Sequence, residues 1–303
     1  MSVQRLEHLP APAKLNLFLK VVGRRADGYH LLQSLFVFID WQDTLHLERR
    51  GDGALHRHDL GLPLPADDLC LRAARALKDA SGTPWGADIH ILKVLPSGAG
   101  LGGGSSDAAT VLLGLNRLWG LRWTTQQLAA LGLRLGADVP FFIHGRNAVV
   151  EGIGERIHPV PVRPQAYCVV KPPEGLDTVK IFRDADLKRD SKPAIVEGFP
   201  ADHFEVEALL EQLSLSGWPE NDLQPVAQRH CPSVTQALQW LRSRYGHAQM
   251  SGSGSAVFAR EGASNEAFLA SAGSGNSCEN LPPGWAGRWC QGLNTHPLVE
   301  CLD

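Results

Sequence analysis

The amino-acid sequence predicts a mixed α and β chain organised as two domains, on three observations. At 303 residues the chain is about twice the length of a typical domain. Its first half alternates segments of strand period and helix period. A stretch with three prolines, His158–Pro164, then separates that half from a less regular remainder. The boundary taken from it puts residues 1–158 in an N-terminal domain and 159–303 in a C-terminal one.

In chain order, Leu15–Val21 and Leu35–Asp40 are apolar runs of strand length. Arg49–Asp67 is charged and broken by Gly and Pro, which predicts a surface excursion. Its His56 and His58 have no cysteine partner, so a solvated loop explains them better than a metal. Asp88–Leu95 alternates, with Ile89 and Ile91 on one face and Asp88 and His90 on the other, as in a strand. Ala108, Val111, Leu112, Leu115, Leu118 and Trp119 follow helical spacing, and Ser105 or Ser106 is the expected N-cap. A second helix, Thr125–Leu135, carries Leu128, Leu131 and Leu135 on one stripe and stops at Gly136. Pro140 is expected to push Val139 into extended geometry, which puts Asp138 at a bend. Arg183–Asp202 reads as a charged loop, Val226–Tyr245 as helix and Ser271–Gly287 as a long Ser/Gly-rich loop.

Composition excludes several classes. Hydrophobic residues make up 44% of the chain, enough to offset ordering entropy, so global disorder is ruled out. The longest solid apolar run, about Leu35–Ile39, is far too short to cross a bilayer, and Met1–Lys14 lacks a signal pattern. A formal charge of −3 argues against broad nucleic-acid binding, which needs a basic face. The six cysteines, at 70, 168, 231, 278, 290 and 301, form no C-x-x-C pair. They are expected as reduced thiols in the cytoplasm.

The strongest chemical signal is the run Pro96, Ser97, Gly98, Ala99, Gly100, Leu101, Gly102, Gly103, Gly104, Ser105, Ser106, between a strand and a helix. Missing Cβ atoms let the backbone approach a ligand closely. Amide N–H groups and the positive end of the following helix converge there, which makes a phosphate site. No lysine follows Gly104, so this is not a Walker A loop. Gly98-x-Gly100-x-x-Gly103 fits a dinucleotide fingerprint, but residues 116–130 lack the acid that fold needs. A mobile linker is the plainer alternative.

Continued through Asp107, Ala108 and Ala109, this run resembles the ATP loop of the GHMP kinases, which act on galactose, homoserine, mevalonate and phosphomevalonate. Three further segments resemble the branch that acts on a cytidine-diphosphate-linked methylerythritol. They are Ala11–Leu19 continuing into Gly23–Phe36, then Gly136–Phe142, then Ser251–Ala259. The resemblance implies two α+β lobes with the active site in the cleft between them. It implies transfer of the ATP γ-phosphate to the substrate's 2-hydroxyl, in the non-mevalonate isoprenoid route, with ATP and Mg²⁺ as cofactors. Lys14 and Asp138 match the catalytic pair. A carboxylate in reach takes the hydroxyl proton, and a neighbouring lysine holds that carboxylate ionised. Tyr29, His30 and Phe182 match positions that hold the cytosine ring, and Asn16 and Lys93 match polar contacts to the substrate; Thr178, four residues before Phe182, is expected to line the same pocket.

The resemblance also implies that backbone amides of the Ser251–Ser255 turn shape the phosphate site. Asp107 is expected to cap its helix, where its charge suits the dipole. Asp68 stands where the family pattern has an asparagine near adenine. The Glu151–Glu155 segment recurs in the family, and only a turn is assigned to it. Two other readings compete: a kinase of another small alcohol, which needs no Tyr29-His30 pair, and a nucleotide-binding regulator without activity, which Lys14 and Asp138 oppose.

Overall fold

The computed structural model describes residues 3–61, 63–194, 221–260 and 278–298. Two long strands, β1 (Arg5–Arg24) and β2 (His30–Arg50), form an antiparallel hairpin paired from Arg5↔Glu48 to Arg24↔His30. Both outrun the apolar stretches that announce them. Pro10 and Pro12 argue against a strand upstream of Ala13, but β1 pairs on one side only and shifts register at Pro12/Ala13. Prolines are tolerated on such edges and bulges because no ladder needs their missing N–H. Arg49 and Arg50 continue β2 rather than opening a loop, and the excursion contains a strand of its own, β3 (Leu55–Asp59). His56 and His58 therefore stand on a strand, both exposed.

The N-terminal lobe continues with α1 (Leu69–Ser81), β4 (Gly86–Leu92), α2 (Gly103–Leu118), α3 (Thr125–Leu133), α4 (Val139–His144), β5 (Ala148–Gly152) and β6 (Arg156–Pro159). The C-terminal lobe holds β7 (Ala166–Lys171), α5 (Thr178–Arg183), α6 (Gln224–His230), α7 (Pro232–Tyr245), β8 (Gln249–Met250), β9 (Val257–Arg260) and β10 (Ala286–Leu293). The strands join in one sheet of order β3-β4-β2-β10-β7-β9-β8, with β1 and β5 on β2 and β6 on β5. Between the lobes the sheet ladder is short: β10 pairs with β2 at Gly292↔Ile39 and Leu293↔Phe38.

Three apolar clusters fill the fold. In the first, Leu45, Leu47, Ile89 and Ile91 pack under Val111, Leu112 and Leu115 of α2 and Phe141 and Phe142 of α4. The second joins Leu15, Val37 and Ile39 to Tyr167, Val169 and Phe258 across the two lobes. The third packs Cys168 and Val170 against Val226, Val234 and Leu238 of α6 and α7. The expected helix over 226–245 is thus two helices, because Pro232 starts a new one after the extended Cys231. Parts of the expected loops, 195–202 and 271–277, lie outside the described residues, as does Cys301. Residues 286 and 287, expected in the second loop, begin β10. The five described cysteines are free and buried. No described helix is long and apolar enough to cross a membrane.

Candidate active site

A cleft of about 1090 Å³ runs between the lobes. It is lined by residues 96–105 of the glycine-rich loop, by Lys14, Asn16 and Asp138, and by Tyr29, His30, Lys93, Thr178 and Phe182. Of the residues expected at the site, only Ser106 stands outside it, fully buried in α2 with its hydroxyl unpartnered.

The loop enters α2 through Gly102, which occupies the N-cap in the left-handed region (φ 72°) and offers no side-chain cap. Neither Ser105 nor Ser106 is the cap, then; both lie in the first turn. Left uncapped, the first amides of α2 remain open donors beside the cleft, and a 16-residue helix places its positive end there. Gly100 is also left-handed (φ 72°), and a Cβ there would meet the Ser251 carbonyl oxygen at 2.2 Å. That contact reflects a tight brace. Ser251 Oγ donates to the Gly100 carbonyl at 3.0 Å, and the amides of Ser255 and Ala256 donate to the Gly98 and Ala99 carbonyls at 3.2 and 3.0 Å. The amides of Ser255, in the 251–255 turn expected to shape this site, and of Ala256 just after it thus act by holding the loop. The Lys14 amide adds a bond to the Leu101 carbonyl at 2.9 Å.

Lys14 Nζ lies 3.5 Å from Asp138 Oδ2, donates to Asn16 Oδ1 at 2.6 Å, and sits 4.3 Å above the Phe36 ring. Burial pushes the lysine pKa down, and the Asp138 carboxylate opposes that shift. Asp138 occupies the N-cap of α4 in helical geometry, and Val139 is the first helical residue rather than extended. With Pro140 in the first turn one amide is already missing there, and the Asp138 carboxylate makes no cap bond. It is about one-third exposed, free to meet a ligand.

Asn16 is almost fully buried. Besides accepting from Lys14, it donates Nδ2–H to Ser34 Oγ at 2.9 Å. Lys93 is likewise committed inward: its ammonium lies 2.5 Å from both Asp43 and Asp107. Asp107 is thus no cap. It lies in the second turn of α2, and burial together with the nearby Asp43 pushes its pKa up to about 8 despite Lys93. Asp43 Oδ1 also accepts from the Val94 and Leu95 amides at 2.5 and 2.7 Å. The triad therefore fastens β2 to both ends of the glycine-rich loop. Asp68 borders the cleft while capping α1 and pairing with Arg57 at 2.7 Å, the second of which an asparagine could not do.

At the other end of the cleft, His30 and Phe182 stack with centroids 5.1 Å apart, and Tyr29 is 61% exposed, so it is not a core residue. Thr178 Oγ1 sits 2.7 Å from Ser253 Oγ. In the 151–155 segment Glu151 accepts from Gln33 Nε2 at 2.8 Å, and Glu155 accepts the Ile153 amide at 2.6 Å, closing a turn whose Ile153 and Gly154 border the cleft. Two site residues are invisible to sequence reasoning. Asp43 sits inside a strand, and Arg189, which contacts His30, sits in a stretch that reads only as a charged loop.

Family models for the GHMP kinases N terminal domain and the GHMP kinases C terminal match residues 68–146 and 195–267. The chain is 55% identical over 299 residues to the 4-diphosphocytidyl-2-C-methyl-D-erythritol kinase of Methylibium petroleiphilum, covering 99% of each chain. It is 55% identical to that of Variovorax paradoxus, covering 96% of each. A crystal structure of 4-(cytidine 5'-diphospho)-2C-methyl-D-erythritol kinase superposes with a TM-score of 0.72 at 35% identity, over 94% of this chain and 98% of that one. A mevalonate kinase from Methanococcus jannaschii shares the fold alone, with a TM-score of 0.63 at 13% identity. A braced glycine-rich loop facing a lysine–aspartate pair, carried by a sequence more than half identical to these relatives, places the chain in the 4-diphosphocytidyl-2-C-methyl-D-erythritol kinase family of the GHMP kinases.

Proposed function

We propose that the chain transfers the γ-phosphate of ATP to the 2-hydroxyl of 4-diphosphocytidyl-2-C-methyl-D-erythritol, yielding ADP and a singly phosphorylated product. The observation that carries this is the 3.5 Å pair of Lys14 and an uncapped Asp138, in one cleft with the open amides of α2. The α2 amides and loop backbone receive the triphosphate. Asp138 accepts the hydroxyl proton as the oxygen attacks phosphorus. Lys14, held by Asn16, orients Asp138 through the 3.5 Å pair and offsets negative charge on the transferring group. Tyr29, Phe182 and His30 form the cytosine end of the cleft, where ring stacking contributes about 1–3 kcal/mol per aromatic.

Among the described residues no group of three or more acidic, histidine or cysteine side chains could hold a metal by itself. That suits Mg²⁺ arriving on the nucleotide and keeping several waters, with Ser105 and Asp138 as the protein oxygens bordering the loop end. The ion would supply charge neutralisation at the phosphates. We place the division between the lobes at 158/159, at the C-terminal end of β6 (Arg156–Pro159) and ahead of β7 (Ala166–Lys171).

Incubation with MgATP and the cytidine-linked alcohol should release ADP and one phosphorylated product. ADP release that ignores the alcohol, or none at all, would end this reading.

A further inference from the structure

The base end of the cleft is backed by a residue that does not line it yet orders two residues that do. Arg189 donates Nε–H to His30 Nε2 at 3.1 Å. Its remaining N–H groups go to backbone carbonyls: Nη1 to Ala185 at 3.4 Å and Leu187 at 3.0 Å, Nη2 to Phe182 at 3.3 Å and Asp184 at 2.6 Å. All five donors of the guanidinium are thus engaged, and none is left for a ligand. The group is a bracket. It draws the turn after α5, and with it the Phe182 ring, against His30.

The bond to His30 has a chemical consequence. A ring nitrogen that accepts a hydrogen bond carries no proton, so the neutral imidazole keeps its hydrogen on Nδ1. Protonating the ring would set two donors face to face at Nε2. Burial and the two facing cations, Arg189 and Arg24, all disfavour the imidazolium, in the same direction. His30 is therefore held as an Nδ1–H donor. Cytosine presents an unprotonated N3 as an acceptor, whereas uracil presents N3–H there.

We propose that Arg189 is a positioning and specificity residue that locks the His30 tautomer, so that the pocket accepts a cytosine nucleotide and rejects its uracil counterpart. This rests on the reading of His30 and Phe182 as the base pocket. Arginine is required for its fork: a lysine ammonium cannot bond the imidazole and four separate carbonyls in one plane.

The test uses Arg189→Gln and Arg189→Lys in the full chain, with the cytidine-linked alcohol and its uridine analogue. Both variants should raise KM for the cytidine substrate tenfold or more, leave KM for ATP within twofold, and narrow the cytidine-over-uridine ratio of kcat/KM by at least tenfold. Nitrogen-15 spectra of histidine-labelled protein should show His30 Nε2 unprotonated in the unaltered chain, and partly protonated in Arg189→Gln. An unchanged base ratio, or a protonated Nε2 in the unaltered chain, overturns the assignment, and so does an equal rise in both KM values. His30→Ala separates the layers. If it leaves KM for the cytidine substrate unchanged, the base-pocket reading itself falls and takes this one with it. If it raises that KM while Arg189→Gln does not, only the role of Arg189 falls.

Discussion

Asp138 and Lys14 are 3.5 Å apart, but their surroundings differ: the lysine is enclosed and the carboxylate is about one-third open to the cleft. In the proposed reaction, chemistry that needs access therefore falls to the aspartate, and the lysine acts on it from behind. Asp138→Asn keeps the shape and removes the proton acceptor. ATP binding should persist, and kcat should drop by about 10²–10⁴, the usual scale of general-base catalysis. The measurement is ATP affinity by calorimetry beside steady-state turnover; full turnover in that variant would take Asp138 out of the mechanism. Lys14 and Asp138 were both legible in the sequence because each lies inside a short contiguous motif. The partners that set their states were not. Asn16 could be seen as polar, but its bond to the Lys14 ammonium is visible only in three dimensions.

At the level of elements, the glycine-rich loop owes its shape to segments remote in sequence. The turn at 251–255 grips it from one side and the Asp43–Lys93–Asp107 triad from the other. Gly100→Ala would force a Cβ to 2.2 Å from the Ser251 carbonyl oxygen and strain a left-handed backbone. KM for ATP is expected to rise tenfold or more with a lowered Tm, and ATP kinetics like those of the unaltered chain would refute the brace. Asp43→Ala would leave two amides unpaired and the buried Lys93 ammonium with Asp107 alone, a loss of about 3–5 kcal/mol. Asp43→Asn, which keeps an acceptor for the amides, should lose less; urea denaturation of the two variants reads the difference. Sequence spacing correctly placed a strand, a loop and a helix here. It misplaced the cap, because a glycine in left-handed geometry can start a helix that the neighbouring serines appear suited to begin.

For the molecule as a whole, pH acts through buried histidines. His296 is fully buried where β10 leads back to the N-terminal lobe, and its Nδ1 accepts the Leu298 amide at 3.1 Å. Burial holds its pKa down to about 3, and that of His247 in the C-terminal lobe to about 4. The unfolded chain binds these protons near pH 6.5 and the folded chain does not, so stability falls as pH drops from about 6.5 towards the folded values. Between pH 7 and 5 His296 alone should cost about 2 kcal/mol. Urea midpoints at the two pH values should therefore differ less in His296→Gln than in the unaltered chain. An equal difference would show that His296 takes up its proton in the fold as readily as in the unfolded chain.

The alternating apolar pattern of β4, the spacing of α2 and the crowding of glycines at 96–104 determined the local elements and the glycine-rich loop between them, since each is written in consecutive residues. Only the tertiary structure decided what those elements do to one another. Lys93 meets Asp43 across 50 residues and Arg189 meets His30 across 159. Whether a charged side chain ends as a surface group, a ligand contact or an internal tie depends on which partners the fold brings within about 3 Å, and separation along the chain carries no record of that.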